Sequence, residues 1–130
     1  MNRKIVLTGI GLITISILLG AFGAHGLKTI VSPEKIISFE TGVKYQMYQG
    51  LAFLIIGFNF SLLHSISNWY YRLGLLGILL FSGSIYFLTI SEITHIPKLI
   101  FVPLTPIGGG LLILSWSILF VSILKQKGSK

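Results

Sequence analysis

Four stretches of this sequence, residues 5–22, 45–63, 73–90 and 107–124, contain no Asp, Glu, Lys or Arg and are built mainly of apolar and small side chains. A helix needs about 20 such residues, with a lower limit near 17, to cross the hydrocarbon core of a bilayer, and all four runs meet that length. Backbone N–H and C=O groups in hydrocarbon find no water, so each run must satisfy them internally, as a helix. The expected fold class is all-α: an integral membrane four-helix bundle, one membrane domain over 1–130. Charged residues make up only 10% of the chain, against about 25% in a soluble domain. Lipid is therefore the expected main solvent of the surface.

The absence of cysteine excludes disulfides, thiolate metal ligation and cysteine nucleophiles. The formal charge of +7 raises nucleic acid as a partner, but the basic residues sit singly or near the ends, with no basic face. They read better as the flanks of membrane helices. A cleaved signal peptide is a rival reading of the first run, because Arg3-Lys4 precedes it and "AFGA" offers small residues. The run is longer than the usual apolar core of about 7–15 residues in such peptides, which disfavours it.

With four spans both ends of the chain share a side. That side holds Arg3, Lys4, Arg72, Lys125, Lys127 and Lys130. The other holds Lys28, Lys35, Lys44 and Lys98 together with Glu34, Glu40 and Glu92. The excess of basic residues on the first side predicts cytoplasmic termini in a cell membrane. Trp69, Tyr70 and Tyr71 read as an aromatic belt at the inner interface.

Small residues recur at intervals of seven in every run: Gly9, Ser16 and Gly23; Gly50 and Gly57, then His64; Gly77, Ser84 and Ser91; Gly108, Ser115 and Ser122. A seven-residue period keeps one stripe facing one neighbour. Membrane helices associate through close packing of small residues and interhelical hydrogen bonds. Gly9, Ser16, Gly20, Gly23, Gly50, Gly57, Gly77, Ser84, Gly108 and Ser115 are therefore the expected packing residues, with Gly20 extending the thin face of the first run.

Between the first two runs, Ser32-Pro33-Glu34 reads as a helix start. Ile36, Phe39, Val43 and Met47 then recur at helical spacing, and Glu40 and Lys44 form an i,i+4 pair. This predicts a short amphipathic helix at about 33–43, lying at the outer interface before the second span. Before the fourth run, 99–102 is too short to span and suggests a shallow interfacial or re-entrant stretch, and Thr105-Pro106 suggests a helix start.

Three blocks occur in order: "GAFGAHGL" at 20–27, "FETGVKYQMYQGLAF" at 39–53, and "LFSGSIYFL" at 80–88 followed by "TPIGGG" at 105–110. Together they resemble a family of small four-span membrane proteins known as domain of unknown function 423, also the UPF0382 membrane proteins of bacteria. The eukaryotic transmembrane protein 256 is similar. The resemblance implies fold and location and carries no biochemical activity. One departure is visible: where the family often has His after "YQMY", this chain has Gln49.

On this topology His25, Glu40, Tyr45, Gln46 and Gln49 fall at or near the outer face and form a candidate ligand-binding group, since polar residues at membrane depth suggest function. The competing reading has His25, Tyr45 and Gln49 locking helix ends by hydrogen bonds. Asn59 is expected to bond across to Ser82 or Ser84. His25, Glu92 and His95 have no local ligand spacing for zinc, and there is no Asp and no nucleophile motif, so no catalytic residue, metal or cofactor is expected. The reading is of a structural or interaction component, not an enzyme. Its expected partners are membrane lipid and a further copy or another membrane protein; nucleic acid is not among them. Alternatives are a small oligomeric transporter or channel, or a lipid-acting enzyme using His25 and Glu40. Packing beside the thin face of the first run makes His25→Ala an expected destabilisation.

Overall fold

The computed structural model describes residues 1–62 and 68–126, and these are helical almost throughout. Four long helices, α1 (Arg3–His25), α2 (Pro33–Phe58), α3 (Asn68–Thr94) and α4 (Leu104–Lys125), are joined in part by single 3-10 turns at Leu27–Thr29, Phe60–Leu62 and Lys98–Ile100. Each packs antiparallel on the next, with the closest contacts within the pairs α1/α2 and α3/α4 and a lesser seam between α2 and α3. By length and composition α1, α3 and α4 can each cross a membrane. Helix α2 runs for 26 residues, about 39 Å at 1.5 Å per residue, but carries Glu40, Lys44, Gln46 and Gln49.

Helix boundaries follow local chemistry. Asn2 caps α1, its side-chain oxygen accepting from the Ile5 N–H at 3.2 Å, while its own N–H donates to the Gly57 carbonyl at 2.8 Å and pins the start of α1 to the end of α2. Ser32 precedes Pro33, the first residue of α2, with Glu34 in the first turn, although the Ser32 hydroxyl makes no capping bond. Helix α3 ends at Thr94; the next residue, His95, has a φ of 55° in the left-handed region and its N–H closes on the Ser91 carbonyl, the usual geometry just past a helix end.

Several expectations are corrected here. The amphipathic helix at 33–43 is not a separate element but the first part of α2. No Gly-Pro break separates it from the rest of that helix, and Phe39, Gly42, Gln46, Gln49 and Phe53 form one continuous buried stripe. Helix α4 begins at Leu104, so Thr105 and Pro106 lie inside its first turn. Tyr70 is not a belt residue: it is 0% exposed in the apolar core with Phe53 and Leu119, and only Trp69 of the three aromatic residues stands exposed. The last residue of the expected second span, residue 63, and His64 lie outside the described residues.

The distribution of side chains is the reverse of that in water. Ser16, Gln46, Gln49, Ser82, Ser84, Thr89, Ser91 and Ser115 are buried, while Ile17, Leu18, Ile55, Leu79, Ile113 and Phe120 are more than half exposed. Extended apolar surface of this kind is what a lipid-facing or partner-covered fold presents.

Candidate functional site

Seven-spaced small residues line the buried faces. A Cβ built on Gly9 would lie 2.7 Å from the Gly50 carbonyl oxygen and 2.8 Å from Leu54 N. One on Gly57 would lie 2.9 Å from Val6 N, and one on Gly50 3.1 Å from the Gly9 carbonyl oxygen. The α3/α4 seam repeats the device: a Cβ on Gly77 would meet Leu112 N at 2.9 Å, and one on Gly108 would overlap the Phe81 backbone and meet the Gly77 carbonyl oxygen at 2.8 Å. Gly23 faces the Phe39 ring, whereas Gly20 stands at ordinary contact distance from Val43, 3.6 Å, and is not needed for approach. Gly42 and Gly74, outside the seven-residue series, are also close-packed, but against side chains: Tyr86 and Ile85, and Gln49, Ser115 and Phe53 respectively.

Buried polar side chains tie these helices together. The Gln46 amide donates from Nε2 to the Leu12 carbonyl at 3.0 Å and accepts at Oε1 from the Tyr86 hydroxyl at 2.7 Å, so one side chain joins α1, α2 and α3. Ser82 donates to the Gly42 carbonyl at 2.7 Å and Ser115 to the Tyr70 carbonyl at 2.6 Å. Ser84 and Thr105 share a hydroxyl–hydroxyl bond between α3 and α4. Ser16 bonds within its own helix, to the Leu12 carbonyl. Thr8 meets the Tyr71 hydroxyl at 2.7 Å.

Of the five residues of the candidate ligand group, Tyr45 and Gln49 line one cleft. Gln46 and Gln49 are buried, Tyr45 is exposed with its ring edge-on to Phe81, and His25 and Glu40 are exposed with no hydrogen bond or ion pair among the described residues. Nor do Glu40 and Lys44 pair. Since His25 stands in the open, the basis for expecting His25→Ala to destabilise is gone. Asn59 is also corrected: it sits at the exposed end of α2 and bonds its own helix, at the Ile55 carbonyl, 2.8 Å away. His25, Glu92 and His95 do not assemble, and among the described residues no cluster of three His, Asp or Glu side chains could hold a metal.

What the sequence did not reveal is a lateral cleft of about 800 Å³ between α2 and α4, with α3 as its floor. Tyr45, Tyr48, Gln49, Phe81, Trp116 and Phe120 line it. Across it the Trp116 indole N–H donates to Gln49 Oε1 at 3.1 Å. Gln49 Nε2 points away, toward Gly74, where it and the Tyr70 hydroxyl are buried without a hydrogen bond of ordinary geometry. No periodicity in one helix announces this cleft, because it depends on the register of α4 against α2.

A family model described as a protein of unknown function (DUF423) matches residues 19–109. The chain is 40% identical to a UPF0382 membrane protein of Staphylococcus epidermidis over 109 residues, covering 84% of this chain and 85% of the relative. It is 36% identical over 112 residues to the UPF0382 membrane protein YwdK of Bacillus subtilis, covering 82% and 85%. The match to the UPF0382 inner membrane protein YgdD of Escherichia coli is 37% over 119 residues, covering 88% and 86%. The chain belongs to this family. The UPF0382 proteins it matches are membrane proteins of unknown function, and the inward polar, outward apolar arrangement of these helices is in keeping with that solvent. No solved structure matches the chain.

Proposed function

We propose that the protein is a four-span bundle of the cell membrane, with both termini in the cytoplasm, whose role is structural or interactive rather than catalytic. All four helices cross in this reading, α2 included, because its glutamines are shielded from lipid by α1, α3 and α4. The observation that carries it is how the interior polar groups are used. Gln46, Ser82, Ser84 and Ser115 each bond a neighbouring helix, while His25 and Glu40, the groups a proton pathway or a lipid hydrolase would draw on, stand apart at the surface. The inner membrane location in the name of the Escherichia coli relative supports the same placement.

One reconstitution tests both parts. The chain has no native cysteine, so single cysteines at Lys28, Lys98, Arg3 and Lys125 report unambiguously. In intact cells an impermeant maleimide labels positions 28 and 98, and labels 3 and 125 only after permeabilisation. Purified protein in liposomes then shows no proton or cation flux above protein-free vesicles. Labelling of position 3 or 125 from outside would overturn the topology, and a flux lost in His25→Ala would replace the structural role with transport.

A further inference from the structure

The cleft does not end at Tyr45. A second hollow of about 390 Å³ opens beside it, lined by Lys35, Ser38, Thr41, Thr89 and Thr105, and the two share Phe81 as floor. Along α2 the lining positions 38, 41, 45 and 48 follow the three-to-four spacing of a single helix face, and along α4 Thr105, Gly109, Trp116 and Phe120 do the same. One slot therefore runs down the α2/α4 face. Its long inner part is walled by Tyr48, Phe81, Trp116 and Phe120, and its outer end by Ile85 and Leu88 together with hydroxyls and one ammonium. Lys35 has no carboxylate partner among the described residues.

We propose that this slot binds one anionic glycerophospholipid of the outer leaflet, the phosphate at Lys35 and Ser38 and an acyl chain along Trp116 and Phe120. Three features select this occupant. The apolar part follows α4 from Gly109 to Val121, about 18 Å at 1.5 Å per residue, which suits an extended chain rather than a compact solute. The volume, largely aromatic and aliphatic with a few placed polar groups, has the character of a ligand site. Polarity rises toward the outer end of α2, as in a lipid from headgroup to tail, and the charged residue that lines the hollow there is Lys35. The slot opens sideways, so a lipid enters from the bilayer without passing through water. The inference rests on the membrane topology proposed above.

Trp116 reports on its own cleft. The chain has two tryptophans, so Trp69→Phe leaves Trp116 as the sole emitter in vesicles of phosphatidylcholine containing either brominated phosphatidylglycerol or brominated phosphatidylcholine. The anionic lipid is expected to quench Trp116 at about fivefold lower mole fraction, the effect of one lysine at a lipid surface. Lys35→Gln should abolish that preference, and Lys28→Gln, on the turn after α1 and outside the lining of either hollow, should leave it intact. Gly109→Leu should plug the slot and remove quenching by both lipids beyond that of the bulk bilayer. A Cβ there lies 3.7 Å from the Phe81 ring, an ordinary contact, so the first carbon of the new side chain fits without backbone overlap. Equal quenching by the two lipids, or a preference that survives Lys35→Gln, overturns the proposal. Failure of the topology is distinguishable, because an uninserted chain is quenched by neither lipid.

Discussion

Where α1 meets α2, backbone lies against backbone; where α2 faces α4, aromatic rings stand between. The first seam is closed by Gly9 and Gly57, each so near the opposing main chain that a methyl group has no place, and by Gly50, where one would be tight. The second carries Tyr45, Tyr48 and Trp116 at the corresponding depth, and of the hydrogen bonds among the described residues only that from Trp116 to Gln49 crosses it. Both seams join apolar helices, so hydrophobicity does not separate them. Side-chain bulk does. Without an advantage in burying apolar surface from lipid, helices stay together through dispersion at short range and hydrogen bonds, and a ring forfeits the first of these while creating a hollow. The molecule thus has one face that is closed by omission of side chains and one that is kept open by them.

The sharpest way to break the closed type of seam is at α3/α4. Gly108→Ala places a carbon inside the Phe81 backbone, which no rotamer change relieves. Overpacking costs typically 1–3 kcal/mol, and here the upper end, about 3 kcal/mol, is expected as a loss of stability in detergent unfolding monitored by circular dichroism. A wild-type unfolding curve would show that α4 slides freely and that the seam is not closed by glycine.

Hydrogen bonding is the second component, and Gln46→Leu isolates it. The substitution keeps volume but removes the bonds to the Leu12 carbonyl and the Tyr86 hydroxyl. Interhelical hydrogen bonds in membranes contribute about 0.6 kcal/mol on average and up to about 1.7, so a loss of roughly 1–2 kcal/mol is expected for two bonds. His25→Ala, at an exposed position, should change stability by less than about 0.5 kcal/mol. If the two variants unfold alike, Gln46 is not the joint between α1, α2 and α3.

These residues also show how far the sequence is readable. The helical class, the unbroken apolar runs and most of the small-residue faces follow from composition and period, because each is a property of a single helix. Gly42 and Gly74 escaped the seven-residue pattern since they serve a different seam, α2/α3, whose register no single helix encodes. His25 and Gln46 look equally suggestive in sequence, yet the first ends a helix in the open while the second lies on the continuous buried stripe of α2. The prediction of a separate interfacial helix erred because Lys44 looked like a boundary, whereas a lysine on the exposed face of a helix does not interrupt its backbone. Asn59 bonded its own helix because it caps the end of α2, where its backbone N–H and its side chain both reach the Ile55 carbonyl. The cleft was unreadable for the same reason as the α2/α3 glycines.

The smallest effect expected is also the control on the whole comparison. Gly110 is adjacent in sequence to Gly109 and two residues from Gly108, but a Cβ there would find nothing within 4 Å, as at Gly11 and Gly83. If closeness of backbones is what glycine serves in this protein, Gly110→Ala should not weaken it. Alanine instead lowers the conformational freedom of the unfolded helix and stabilises by about 0.4–1 kcal/mol in exposed positions. In a membrane the unfolded chain keeps much of its helix, which shrinks the gain, so a rise of at most about 0.5 kcal/mol is expected in the same detergent unfolding assay. A marked loss at Gly110 would mean that its open side is covered, by another copy or another protein, and that the small residues left on the outer surface are seams of the same closed type.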